Sequence, residues 1–428
     1  MIFVSGMKKA LFVWLWFFST TLVFAQDPAL TKEQYEADFT YFWKTIQEDY
    51  CYFDKKQTDW EKVREIYLRQ LDTISARGQF VSLLERAFNE LYDHHASLNT
   101  NTRLSPRLVP SGTDIWAEFV QGKPVVLEVR RGSGAETAGF RAGMEIVSVN
   151  EVAVADALKP FLGKSLQNVD LEARNYALRM LLAGNHVQPR KITVREKGQL
   201  RTFQPDVPTM WLEDIKYPAK VEGRNLNGIG YIKINNYLGD NSLIQAFDSV
   251  LASLEQTSAL ILDLRETPSG GNTTVARAIL GRFITKEQFY QKHELTAEER
   301  QYGVKRSWVE MVSPKGKIYR KPMAVLAGHW TGSVGEGIVI AFDGMKRATT
   351  IGTKMAGLNG AIYSYQMPNT RISFSFPVEK LFHLNGSPRE TYTPNILIDF
   401  SKEKPEPRTD VVLERALAFL RQNKKRNL

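Results

Sequence analysis

From Thr31 to about Leu104 apolar residues recur every three or four positions. Tyr35, Phe39, Phe42, Trp43 and Ile46 mark one face. Trp60, Val63, Ile66, Tyr67 and Leu71 mark a second, and Phe80, Leu83, Leu84, Ala87, Phe88 and Leu91 a third. That spacing predicts successive amphipathic helices whose aromatic faces are core. Thr31 with Gln34 predicts a capping box at the first of them. Ser105-Pro106 and Pro110-Ser111-Gly112 then break the helical run.

The pattern changes between residues 113 and 203. Val125, Leu127 and Val129 alternate as in a strand. A short helical piece (Gly134 to Gly139), a glycine turn at Gly143 and a second strand from Met144 to Val149 follow. Gln204-Pro205 and Val207-Pro208 mark a second linker. Beyond it strands are predicted at 229–234, 260–264 and 323–327, and helices at 241–256, 273–284 and 334–342. This alternation predicts an α/β core with largely parallel strands. No internal repeat or low-complexity segment interrupts it.

The first 25 residues read differently from the rest. Lys8 and Lys9 precede an apolar run from Ala10 to Phe24, broken by Ser19, Thr20 and Thr21, and Val23-Phe24-Ala25 fits a cleavage site before Gln26. The run is shorter than the ~20 residues that span a bilayer, so a cleaved signal peptide is expected, and with it a periplasmic or secreted protein with no stable membrane span. The division that follows is 1–25 signal peptide, 26–105 helical N-terminal domain, 106–205 β domain and 206–428 α/β core.

Composition narrows the function classes. The 428 residues are 43% hydrophobic and 24% charged, which fits a globular protein rather than a disordered one. The net charge of +9 comes from scattered lysines and arginines, so nucleic-acid binding is not expected. Cys51 is the single cysteine, which removes internal disulfides and multi-cysteine metal sites. No metal or cofactor is expected.

Two stretches carry chemistry. In Met323-Ala324-Val325-Leu326-Ala327-Gly328-His329-Trp330-Thr331-Gly332-Ser333-Val334-Gly335-Glu336 a buried strand runs into a glycine-rich loop, with Ser333 where the next helix begins. A serine there is an exposed nucleophile whose neighbouring amides face developing negative charge, or simply a helix cap. In Leu264-Arg265-Glu266-Thr267-Pro268-Ser269-Gly270-Gly271 the paired glycines expose amides at the carboxyl edge of a parallel strand, or simply make a tight turn. The serine needs a base, and His94, His95, His186, His293, His329 and His383 are the candidates; spacing alone does not choose among them.

Taken together these pieces resemble the family of tail-specific and C-terminal processing serine peptidases, and within it the tricorn-core branch, which includes the interphotoreceptor retinoid-binding proteins. The resemblance is carried by Leu91, Asp93 and His95 at the end of the helical cap, by Asp263-Leu264-Arg265 with Gly270-Gly271, by Ser333-Val334-Gly335-Glu336, and by a 113–203 segment resembling the latter part of a PDZ domain. It implies a multidomain α+β protein: a helical N-terminal cap, a PDZ-like β domain with its carboxylate-binding loop near Gly112 to Trp116, and a C-terminal α/β core of the spiral type shared with crotonase and ClpP. It implies a serine endopeptidase acting on polypeptides, with Ser333 as nucleophile. Val334, Gly270 and Gly271 form the oxyanion hole. His95 is the base, with His94 the alternative one residue away, and Glu390 lies in the charge network. Where the processing branch carries a lysine base this sequence has Leu358, and Lys354 lies four residues early. Two other readings are a non-catalytic peptide- or ligand-binding relative of the same fold and an esterase using Ser333, Glu390 and His383.

Overall fold

A computed structural model describes residues 30–206, 217–403 and 409–426. The expected signal peptide and the Val207-Pro208 half of the second linker lie outside these residues. Among them no helix is long and apolar enough to cross a membrane.

The N-terminal helices are Lys32–Asp49, Trp60–Leu68 and Arg77–Asn89, and the Thr31–Gln34 capping box forms at the first. Their aromatic faces do not close on one another alone. Phe39, Phe42, Trp43, Phe80 and Leu84 share one buried cluster with Met367, Ile372, Phe374, Phe376 and Val378 from the far end of the chain. Phe42 meets Phe374 edge-on at 5.1 Å. The helical run also ends earlier than its pattern suggests: Ser97–Leu98 is a strand, antiparallel to Ser373–Phe382 at the edge of a five-stranded sheet that includes Gln288–Leu295, Arg306–Val312 and Ala361–Gln366.

A second sheet holds Ile115–Val120, Lys123–Val129, Glu145–Val149, Ile192–Glu196 and Gln199–Phe203, with Val152–Ala153 at its side. The strand at 123–129 forms where the alternation of Val125, Leu127 and Val129 puts it. Val126 is buried, whereas Val125, Leu127 and Val129 are half-buried. The helix Leu171–Ala183 packs on this sheet, and its Asn175 Oδ1 accepts the Phe119 N–H at 2.8 Å.

The third sheet runs Ile396–Leu397, Thr349–Gly352, Met323–Ala327, Ala259–Asp263, Ile229–Ile234 and Val221–Leu226. All neighbours are parallel except the last pair. Ala259–Asp263 and Met323–Ala327 are buried throughout, which matches their unbroken apolar runs. Both deliver their loops to the same carboxyl edge, where open parallel sheets bind ligands. The whole is a mixed α/β, multidomain fold.

Candidate active site

Two strand-end loops are laced together at that edge. The Thr267 N–H donates to the Trp330 carbonyl at 3.1 Å, and the Gly332 N–H donates to the Thr267 carbonyl at 3.2 Å. Thr331 Oγ1 donates to the Leu264 carbonyl at 3.0 Å. The lacing presents Ser333 at the start of the helix Val334–Gly344 with φ +50° and ψ −112°, a strained conformation for a residue with a side chain. Such backbone costs on the order of 1–3 kcal/mol and persists only where neighbours impose it. The capping contact runs from the Ser333 N–H to the Glu336 carboxylate, and among the described residues no hydrogen bond to the Ser333 hydroxyl is made.

Gly270 sits against the serine. A methyl group on it would lie 2.4 Å from Ser333 Cβ, 3.0 Å from Oγ and 3.2 Å from the Val334 nitrogen, and its φ is +65°. The Gly270 N–H is taken by the Thr267 carbonyl at 3.2 Å. Among the described residues neither the Val334 nor the Gly271 N–H donates a hydrogen bond.

The carboxylate nearest the serine is Glu336. It is fully buried, and its Oε2 accepts the Ser333 N–H at 2.8 Å. Oε1 accepts the Gly357 and Leu358 N–H groups at 2.9 and 3.3 Å. Arg389, also buried, lies 3.7 Å away and donates to the Leu358 and Gly360 carbonyls at 2.9 and 2.8 Å. Burial pushes the Glu336 carboxyl up to about 7, against the opposing pull of Arg389 and the three amides. Sequence reading assigned Glu336 no role, although Ser333-x-x-Glu336 is a capping-box spacing that points to it.

The same short segment holds His95. Its Nδ1 lies 2.6 Å from the Asn359 carbonyl oxygen. A carbonyl only accepts, so the proton sits on Nδ1 and Nε2 keeps its lone pair. Asp93 accepts the His95 N–H at 2.9 Å, the Tyr50 hydroxyl at 2.7 Å and the Asn359 side-chain amide at 2.9 Å. Burial, helped by Arg389, lowers the imidazole pKa to about 4, so the ring is neutral at pH 7. No hydrogen bond joins Ser333 to His95 among the described residues.

The other histidines point elsewhere. His94 stacks on Tyr176 with 4.5 Å between ring centroids, and neither of its buried nitrogens has a partner. His329 stacks on Trp116 at 4.8 Å and meets Glu128 at 2.5 Å, which docks the β domain on the loop before Ser333. The Gly112–Trp116 loop is part of that docking, since the Trp330 indole N–H donates to the Thr113 carbonyl at 2.8 Å. His293 pairs with Glu379 at 2.7 Å, and His186 is 3.4 Å from Asn101. His383 pairs with Asp343 at 3.1 Å. Asp343 is near the far end of the helix that Ser333 begins, ~15 Å along it, so His383 does not serve this serine. Lys354 is exposed. No hydrogen bond joins Glu390 to His95 among the described residues: Oε1 accepts from Lys55 at 2.7 Å, and Oε2 is buried without a partner. The short turn Arg389–Thr391 sends Arg389 inward and Glu390 toward Lys55.

Comparison with known proteins finds relatives of two parts of the chain and of its fold. Residues 228–398 match Peptidase family S41, and residues 31–89 match the Tricorn protease C1 domain. Over these stretches the chain is similar to the C-terminal processing serine peptidases. It is 26% identical over 257 residues to the carboxy-terminal processing protease CtpB of Bacillus subtilis (strain 168); the match covers 58% of this chain and 49%, about half, of that relative. Mature CPAF shares the fold with a TM-score of 0.59 at 16% identity, over 92% of this chain and 97% of that one. The photosystem II D1 C-terminal processing protease does so with a TM-score of 0.54 at 17% identity, over 86% and 94%.

Proposed function

We propose that this chain is a serine endopeptidase that cleaves polypeptides outside the cytoplasm. The observation that carries the reading is Ser333 itself, held at φ +50° at a helix N-terminus with its hydroxyl free and Gly270 pressed against it. In this reading Ser333 Oγ attacks the scissile carbonyl while His95 Nε2 takes the hydroxyl proton. The N–H groups of Val334 and of the Gly270–Gly271 turn, chiefly Gly271, hold the oxyanion. The C–N bond breaks as His95 returns the proton to the leaving amine, and a water activated by the same nitrogen frees the acyl group. The Asn359 carbonyl orients the imidazole, a task that a carboxylate performs in the Ser-His-Asp arrangement. Glu390, on Lys55 beside the Arg389 turn, belongs to the outer charge network.

The helical cap, the PDZ-like domain and the spiral-type core are parts of this proposal. So are cleavage of a signal peptide after Ala25, a periplasmic or secreted location, and independence of metals and cofactors. Substrate contact through the PDZ-like domain is supported by Tyr176 and Met180, which face a cavity beside the site.

A second reading, a non-catalytic peptide-binding relative, is favoured by the missing Ser333–His95 hydrogen bond. Catalytic contacts often tighten only once substrate binds, which keeps the first reading ahead. Labelling with a fluorophosphonate probe separates the two. Label on the wild type that is lost in Ser333→Ala supports the peptidase. An unlabelled, folded wild type overturns it. A panel of matched peptide and ester substrates then distinguishes a peptidase from an esterase.

A further inference from the structure

A cavity of about 670 Å³ opens between the helical cap and the β domain, outside the catalytic contacts described above. It adjoins the site at two points. Ala96, on its wall, follows His95, and Asn236, also on its wall, exchanges two hydrogen bonds with Ser269 at 2.9 and 3.0 Å, next to Gly270.

The lining combines apolar walls with unequal charge. Phe88, Leu98 and Met180 supply apolar surface. Arg130 is neutralised by Glu266 at 2.8 Å and Arg107 faces Asp206 at 3.5 Å. Glu85, half-buried on the helix Arg77–Asn89, makes no ion pair among the described residues. Burial raises its carboxyl above the usual range against the opposing pull of a Ser105 hydrogen bond and of Arg86 and His186 nearby, and a cation brought beside it would relieve the remaining cost. Lysine and arginine suit such a space, because their methylene stems cover apolar walls while the charged head reaches an acceptor.

We propose that Glu85 selects substrates with a lysine or arginine close to the scissile bond, the side chain lying along this cavity with its cationic head on the Glu85 carboxylate. The proposal rests on the peptidase reading above and adds its substrate class.

The test is a peptide library varied at four positions on each side of the cleaved bond, run with wild-type enzyme alongside fluorophosphonate labelling of Ser333. At one position kcat/KM for Lys or Arg exceeds that for Met or Gln by about tenfold or more. Glu85→Gln brings that ratio close to one, and Glu85→Lys turns it toward Asp and Glu. Labelling and cleavage without a basic preference overturns the proposal alone, and that wild-type result needs no variant to fold. A preference that survives in Glu85→Gln with unchanged melting temperature overturns it as well. Neither labelling nor cleavage overturns the peptidase reading and the proposal with it.

Discussion

Glu336 Oε2 accepts the Ser333 N–H at 2.8 Å, so a buried carboxylate three residues downstream fixes the Ser333 backbone. Its other oxygen holds the Gly357 and Leu358 amides, and the next residue, Asn359, presents the carbonyl that orients His95. Ser333 and His95, the proposed nucleophile and base, are thus referenced to one carboxylate. In the proposed mechanism Glu336 is a positioning residue.

Its replacement by glutamine tests this. Gln offers one acceptor oxygen and turns an amide donor toward N–H groups that need an acceptor, leaving at least one buried donor unpaired at a cost of about 1–3 kcal/mol. Glu336→Gln is expected to lower the melting temperature and to cut kcat at least tenfold while KM changes less than threefold. A folded variant with kcat within twofold of wild type removes the positioning role.

The pH dependence of stability follows from two opposed shifts. His95 has its pKa lowered from 6.5 to about 4, so the unfolded chain binds more protons between those values. Its contribution is present above pH 6.5 and is lost as pH falls toward 4. Glu336 is raised from 4.5 to about 7, so the folded chain binds more protons there, and its contribution is present below pH 4.5 and lost as pH rises toward 7. Between about pH 4.5 and 6.5 the two slopes cancel in the wild type. Glu336→Gln keeps only the histidine term, so denaturant titrations across that window should show its stability rising with pH more steeply than the wild type's. Parallel pH profiles for the two proteins contradict the pair of shifts.

How far the sequence carried these conclusions depends on whether a partner was local. The strands Ile229–Ile234 and Met323–Ala327 fall where their apolar runs put them, because a strand covered on both faces writes its burial into every position. The Thr31–Gln34 cap was legible for the same reason, since both partners lie in one turn. Strands at 288–295, 306–312 and 361–366 escaped notice. They are only partly buried, and what they bury is divided between the α/β core (Tyr290, Val312) and the distant helical cap (Leu295, Tyr365), so they mix Tyr, Lys, His and Glu without a clean period. The alternation of Val125, Leu127 and Val129 identified the strand but not its buried side, which Pro124 and Val126 share. Asn359 gives no signal at all, since its function lies in a backbone carbonyl that any residue carries.

Gly270 makes a sharp prediction because two separate penalties meet there. Alanine at φ +65° costs on the order of 1–2 kcal/mol from its own backbone, and its methyl would stand 2.4 Å from Ser333 Cβ. Gly122 has φ +80° with nothing within 4 Å of the added methyl, so alanine there pays the backbone term alone. Gly270→Ala should therefore be destabilised more than Gly122→Ala and should lose fluorophosphonate reactivity, whereas Gly122→Ala labels like wild type. Equal labelling of the two variants means that Gly270 does not press on the nucleophile.

The choice of base comes down to two adjacent histidines in unlike surroundings. His95 keeps its Nε2 lone pair with Nδ1 bonded to Asn359, while His94 is sealed against Tyr176 with both nitrogens unpartnered. A buried imidazole without hydrogen bonds is destabilising relative to a ring of similar shape that has no polar atoms. His94→Phe is expected to raise the melting temperature and leave peptidase activity within about threefold. His95→Phe should fold yet lose activity by a factor of ~10² to 10⁴, the usual share of a general base. Lys354→Ala, at an exposed position, should keep most turnover. Melting curves and kcat/KM measured on the three variants decide the matter. An inactive His94→Phe beside an active His95→Phe moves the base by one residue, and an inactive Lys354→Ala beside two active histidine variants makes lysine the base.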